Sequence, residues 1–241
     1  KPSETMDGHK FMLCANVGNI EDIKEALKSQ MEGIGLFRSE FVYMMKKDDF
    51  PTEEEQFQIY KEAALLTKEK ELTIRTLDIG GDKELDYYTF EKEENPFLGC
   101  RAIRLCLKMP EMFKNQLRAL LRAGVYGNIR IMYPMLISVE ELERANELLE
   151  ECKRELEEKN IPYRRDIEVG MMIETPASVL MADEFAKRVD FFSIGTNDLT
   201  QYLLAVDRGN EAIAGSYDSF HPAVLRAIRR VISCAHAHGI K

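Results

Sequence analysis

Six short apolar runs, each closing on small or charged residues, set the limits on this fold: residues 11–17, 33–37, 72–78, 129–135, 169–173 and 191–194. Runs of this length bounded by glycine, asparagine or charge read as buried strands. Most are followed by apolar residues at helical spacing, such as Ile20, Ile23, Leu27 and Met31, or Leu142, Ala145, Leu148 and Cys152 with Leu156. Strand followed by helix, repeated, implies parallel strands joined by right-handed crossovers. The expected fold is therefore α/β, of the (β/α)8 TIM-barrel type. Six strands are visible where a closed barrel has eight, so the expectation is a barrel truncated before its last two strands. Residues 1–10 are polar and read as the remnant of a linker, and 11–241 as one barrel domain, incomplete at its carboxyl end.

Helix starts are also legible. Thr52 and Glu55 have capping-box spacing, Ser138 and Glu141 repeat it, and Thr175-Pro176 supplies a cap and a first helical residue. One helical stretch is expected from Ile103 through Leu121, and another from Pro222 to a stop at Gly239. The charges of the helix after Ser138, including Glu151, Arg154, Glu155 and Glu158, read as a solvated face. Asp82 to Pro96 is a long polar segment and a candidate substrate-side loop.

Composition narrows the function. A net charge of -9 argues against nucleic acid or an anionic membrane as the main partner. No segment approaches the roughly 20 apolar residues of a membrane span, so a cytoplasmic protein is expected. The five cysteines lack paired metal or redox spacings and read as reduced, mostly buried thiols. His236 and His238 fall near a helix end, where solvation or capping suits them better than metal ligation.

Chemistry in such folds sits at the carboxyl ends of the strands. The run 169–173 ends on Glu174-Thr175-Pro176, and the run 191–194 on a small polar turn, Gly195 to Gln201, that contains Asp198. Two carboxylates on one rim suit a hard divalent cation; the bland reading is two salt bridges. Arg38 ends the second run, Arg75 lies on the third, and Arg208 follows the sixth. On a surface helix an arginine is usually just solvated, but guanidinium forks at strand ends suit phosphate or carboxylate recognition. The combination points to a cation beside a small, highly charged anion.

Five blocks of the sequence resemble one family: Gly35-Leu36-Phe37-Arg38-Ser39-Glu40-Phe41, Asp78-Ile79-Gly80-Gly81-Asp82-Lys83, Asn95-Pro96-Phe97-Leu98-Gly99-Cys100-Arg101, Met172-Ile173-Glu174-Thr175-Pro176 and Ser193 through Gln201. They resemble the phosphoenolpyruvate-binding barrel of bacterial Enzyme I, in the family's order and over nearly the whole chain. The resemblance implies that Arg38, Arg75 and Arg208 grip the phosphate and carboxylate of phosphoenolpyruvate, with Asn197 as a further phosphate contact. It implies Mg2+ on Glu174 and Asp198, Arg101 orienting the phosphoryl acceptor, and Lys83 as a further group on the same rim. The implied acceptor is a histidine of a separate amino-terminal domain, which passes the group to a histidine phosphocarrier protein; a homodimer is implied as well. Ser39 stands where the family usually has threonine. In the family the enolate is protonated by a cysteine in a Gly-x-Cys-Gly-Glu-like turn, which none of the five cysteines matches.

Two other readings stay open on the sequence. A magnesium-dependent carbon–carbon lyase of related barrels also places acidic metal ligands at neighbouring strand ends. A non-catalytic phosphoenolpyruvate-binding fragment would use the same residues without turnover.

Overall fold

The computed structural model describes residues 3–29, 31–81, 83 and 85–241. Lys1 and Pro2 of the expected linker, and Asp82 and Glu84 of the polar segment, lie outside the described residues. The chain is α/β, with strands that are sheet neighbours in chain order: β1 (Cys14–Val17), β2 (Gly33–Arg38), β3 (Leu72–Arg75), β4 (Ile129–Tyr133), β5 (Glu168–Ile173) and β6 (Phe192–Ile194). β1 with β2, β2 with β3, and β5 with β6 pair in parallel. The residues divide into two compact units, Lys1–Ile131 with Glu147–Glu168, and Met132–Asn146 with Val169–Lys241.

In the first unit β1 begins only at Cys14, because its register with β2 starts at the pair Cys14 and Gly33. Phe11, Met12 and Leu13, expected to be part of that strand, are exposed instead. The helices are α1 (Ile20–Lys28), α2 (Glu40–Met44), α3 (Glu53–Thr67), α4 (Ile103–Lys108) and α5 (Pro110–Ala123). Thr52 Oγ1 accepts from the Glu55 amide at 3.2 Å and Glu55 Oε2 accepts from the Thr52 amide at 2.8 Å, so the capping box forms as its spacing predicts. The single helix expected from Ile103 to Leu121 is two, since Pro110 has no amide proton to continue α4 and instead opens α5. Every residue of β3 is buried, as parallel strands covered on both faces are. Ile23, Phe37, Ile74, Tyr60 and Leu117 fill the core between this sheet and its helices, each contributing roughly 1.5–3 kcal/mol by leaving water.

The helix α6 (Val139–Glu158) runs from one set of residues into the other. Its charges are not all solvated. Glu155 takes Lys114 and Arg118 as partners, Arg118 Nη1 at 2.6 Å, and Arg118 Nε also reaches Glu53 at 2.7 Å. Burial raises the Glu155 carboxyl, but these two cations outweigh it and hold the carboxyl below its ordinary value.

In the second unit β5 is followed by α7 (Pro176–Leu180), capped by Thr175, whose Oγ1 accepts from the Ser178 amide at 3.1 Å. Then come α8 (Ala182–Ala186), β6, α9 (Thr196–Leu204) and α10 (Pro222–Ala237). Two expectations need correcting here. β6 is half-buried, not buried, and the residues after it form no extended turn: Gly195 alone makes the turn, and Thr196-Asn197-Asp198 is already the first turn of α9. An acidic residue in a first helical turn meets the positive end of the helix dipole, which stabilises Asp198 there. α10 ends at Ala237, and Gly239, just past its end, takes φ 70°. His236 and His238 are exposed at that end, His238 Nδ1 lying 2.9 Å from the Cys234 carbonyl.

All five cysteines are free, but only Cys106 and Cys152 are buried. Among the described residues no helix is long and apolar enough to cross a membrane.

Candidate functional site

Arg38 and Arg75 are the last residues of β2 and β3, and the parallel register pairs them directly. Both guanidinium groups therefore leave the sheet at the same level. Arg38 is half-buried, with its guanidinium 4.8 Å from the centre of the Phe41 ring. Among the described residues its Nε is buried without a hydrogen-bond partner.

Arg75 is held between two carboxylates. Its Nη2 donates to Glu40 Oε1 at 2.9 Å and its Nη1 lies 3.0 Å from Asp78 Oδ2. Lys83 joins them, with Nζ 2.8 Å from the same Glu40 oxygen and 3.8 Å from Asp78 Oδ2. Arg101 Nη2 donates to Asp78 Oδ1 at 3.0 Å. Arg75, Arg101, Glu40 and Asp78 are all at most 5% exposed. Burial would raise the Asp78 carboxyl, yet Arg75, Arg101 and Lys83 together hold it well below the usual carboxylate range.

The pairing has a chemical meaning. Three cations share two carboxylates, and Arg38 adds a fourth positive charge, so the cluster keeps a surplus of donors for an anion. Reading the sequence picked the cations and missed Glu40 and Asp78 as their partners, although both stand inside the motif blocks. An acidic residue two or three positions beyond a strand-end arginine was the available signal.

Backbone geometry places Arg101. Gly80 and Gly81 take φ of 102° and 69°, and the Ala102 amide donates to the Ile79 carbonyl at 3.0 Å. A Cβ on Gly80 would stand 2.7 Å from the Arg101 Cβ. Gly80→Ala is thus expected to push Arg101 off Asp78 and to lower stability by about 1–3 kcal/mol. Urea denaturation measures it, and a parent-like midpoint would refute the close approach.

In the second unit Ile173 pairs with Ile194, so Glu174 follows β5 level with Gly195 after β6, and the Gly195 amide donates to the Ile173 carbonyl at 3.0 Å. Glu174 is fully buried, and its Oε1 accepts from the Met135 amide at 2.8 Å. Met135 takes φ 60°, a left-handed backbone rare outside glycine, which aims that amide. A Cβ on Gly195 would meet Glu174 Oε2 at 2.5 Å, so only glycine leaves the carboxylate its place. Asp198 is 9% exposed, and Arg208 Nη1 approaches its Oδ1 at 4.0 Å, the outer limit of an ion pair. Arg208 itself is exposed. Asn197 is exposed too, its carbonyl accepting from the Tyr217 hydroxyl at 3.0 Å.

Among the described residues no three His, Cys, Asp or Glu side chains gather as a metal set. Two hard carboxylates with open positions left for water and substrate oxygens are nonetheless the ordinary magnesium complement, and Glu174 and Asp198 fit it by donor type.

Guanidinium forks at the ends of parallel strands, braced by buried carboxylates, equip an α/β domain to bind a small, multiply charged anion. The chain belongs to the family described as PEP-utilising enzyme, PEP-binding domain, whose profile matches residues 1–241. It is 54% identical over 233 residues to the phosphoenolpyruvate-protein phosphotransferase of Priestia megaterium, covering 97% of this chain and 40% of that protein. With the phosphoenolpyruvate-protein phosphotransferase of Bacillus subtilis (strain 168) it shares 51% over 239 residues, 99% of this chain and 42% of the relative. The chain thus spans about two fifths of the length of these relatives. Among solved structures it is similar to a citrate lyase from Burkholderia xenovorans LB400, with a TM-score of 0.55 at 16% identity, covering 95% of this chain and 62% of that one. An HpcH/HpaI aldolase from Desulfitobacterium hafniense DCB-2 gives a TM-score of 0.51 at 11% identity, over 95% and 75% of the two chains. At such identities the likeness is one of fold alone.

Proposed function

We propose that this chain binds phosphoenolpyruvate and supports transfer of its phosphoryl group to a histidine of a separate amino-terminal domain, releasing pyruvate. The reading rests on one observation above others. Arg38 and Arg75 end neighbouring strands in register, and Arg38 Nε is buried without an acceptor among the described residues. Membership of a family described as PEP-binding, and relatives named phosphoenolpyruvate-protein phosphotransferase, support it.

In this reading Arg38 and Arg75 hold the phosphoryl oxygens, where charge accumulates as the ester bond loosens. Lys83 and Arg101 keep the same region positive, Arg101 toward the incoming acceptor. Arg208 and Asn197 are assigned to substrate recognition as well. Glu174 and Asp198 would hold Mg2+, which supplies charge neutralisation and orientation of substrate oxygens when bound. The phosphoryl group passes from the enol oxygen to a histidine nitrogen, and the enolate left behind takes a proton at carbon to give pyruvate. The strand–helix alternation is assigned to a (β/α)8 barrel. The further partners are a histidine phosphocarrier protein, at the start of a sugar phosphotransferase cascade, and a second copy of the chain; the setting is the cytoplasm.

Arg38 offers the cleaner test, because removing Arg75 would take one cation from each of two buried carboxylates, Glu40 and Asp78, whereas no carboxylate partner of Arg38 enters the cluster described above. Arg38→Ala is expected to lose one charge-assisted contact worth roughly 1.5–3 kcal/mol, about a 10- to 150-fold rise in Kd. Calorimetric titration of phosphoenolpyruvate with Mg2+ present measures it. Parent-like affinity would end this reading.

A further inference from the structure

The side chain of Gln116, on α5, is fully buried beneath the ends of β2 and β3 and belongs to no motif singled out in the sequence. Its Oε1 accepts from the Leu77 amide at 2.9 Å. A backbone amide can only donate, so the orientation of the carboxamide is fixed: oxygen toward Leu77, nitrogen away. The nitrogen then donates to Ser39 Oγ at 2.9 Å and to the Tyr60 hydroxyl at 3.1 Å. The Ser39 hydroxyl donates to the Arg75 carbonyl at 2.6 Å, and the Tyr60 hydroxyl donates to Gln56 Oε1 at 2.9 Å. Both N–H donors of the amide and its oxygen are engaged.

The positions tied together matter. Ser39 sits between Arg38 and Glu40, Leu77 sits beside Asp78, and the carbonyl reached through Ser39 is that of Arg75. One amide therefore pins the backbone next to each member of the cation–carboxylate cluster except Lys83 and Arg101. We propose that Gln116 is a positioning residue, which fixes the spacing between the end of β2 and the end of β3 and thereby sets the aim of Arg38 and Arg75 at a phosphoryl-bearing anion. It acts through Ser39 and Leu77 and touches no substrate. This rests on the phosphoenolpyruvate-binding reading above.

The test uses the whole chain with Mg2+ and phosphoenolpyruvate as the probe. Gln116→Leu keeps the volume and removes all three bonds; it is expected to raise Kd at least ten-fold while urea unfolding stays cooperative. Gln116→Glu restores the Leu77 and Ser39 bonds, though not the one to Tyr60, only when protonated, since a carboxylic acid can accept from Leu77 and donate once, to Ser39, whereas a carboxylate cannot donate. Burial raises a carboxyl pKa, so the ratio of variant to parent Kd is expected to be near one at pH 5.5 and to rise several-fold by pH 8. The titratable neighbours do not mask this. Burial pushes the Tyr60 hydroxyl and the Cys106 thiol up, while Asp78 is held low by Arg75, Arg101 and Lys83 despite its burial; Arg38 and Glu40 flank Ser39 in parent and variant alike.

A folded Gln116→Leu that binds like the parent overturns the positioning role. If Gln116→Leu fails to fold, the Gln116→Glu ratio decides, and a ratio flat from pH 5.5 to 8 overturns it. Arg38→Ala separates the two claims: weakened binding there with unaffected Gln116 variants sinks positioning alone. Parent-like binding by Arg38→Ala sinks the functional reading, and the positioning role with it.

Discussion

Asp78→Ala is expected to destabilise the fold by about 3–5 kcal/mol, the range for removing one partner of a buried ion pair and leaving the rest without compensation. Asp78 is 1% exposed and serves Arg75, Arg101 and Lys83 at once. Truncation leaves two guanidinium groups buried beside a void. The pH dependence carries a definite sign. The folded carboxyl is held below its ordinary value, so its contribution is complete above the unfolded pKa of about 3.9 and is lost as pH falls through the lower, folded value. In urea denaturation the gap between the parent and Asp78→Asn should therefore be constant from pH 7 to about 5 and shrink below about pH 4. A gap unchanged down to pH 3 would mean that the three cations do not hold the carboxylate.

Gly195→Ala should separate the second cluster from the first. The added methyl would fall 2.5 Å from Glu174 Oε2, 2.8 Å from Glu174 Cβ and 3.0 Å from Met172 Cε. Neither strand end can yield easily, because Ile173 and Ile194 are register partners and Glu174 is also tied to the Met135 amide. Overpacking of this kind costs about 1–3 kcal/mol of stability. Its larger effect falls on Glu174, whose displacement should weaken Mg2+-dependent binding of phosphoenolpyruvate by roughly 10- to 100-fold, as disturbed metal-ligand geometry does. Urea denaturation measures the first effect, and titration with phosphoenolpyruvate with and without Mg2+ the second. An unchanged response to Mg2+ in a variant that folds would remove Glu174 from the metal site.

The positions of the arginines could be read from the chain because strand ends are marked locally: an apolar run stops, and a charged residue stands at its edge. The capping boxes were legible for the same reason, since Thr52 and Glu55 interact within one helical turn. What joins Arg75 to Glu40, or Lys83 to that same oxygen, lies 35 and 43 residues away in sequence, and the register of β2 on β3, with the Gly80–Lys83 bridge beyond it, brings them together. Spacing alone carries no trace of that. The stretch after β6 was misread for a different reason. Gly195 followed by small polar residues has the composition of a turn, and the same residue types are favoured at helix starts. Leu199, Leu203 and Leu204 behind it held the helical signal. Pro110 was visible too, and its meaning as a helix start was passed over in favour of an unbroken apolar stripe.

Lys83 Nζ and Arg75 Nη2 lean on a single oxygen atom, Glu40 Oε1. Their fates are joined by that atom. A change of charge at any of the three alters what the other two experience, so tolerance at one position is conditional on the residue present at the others. A replacement at one of these sites is therefore expected to need a matching one at another, and the polar segment that carries Lys83 is coupled to the sheet through that oxygen.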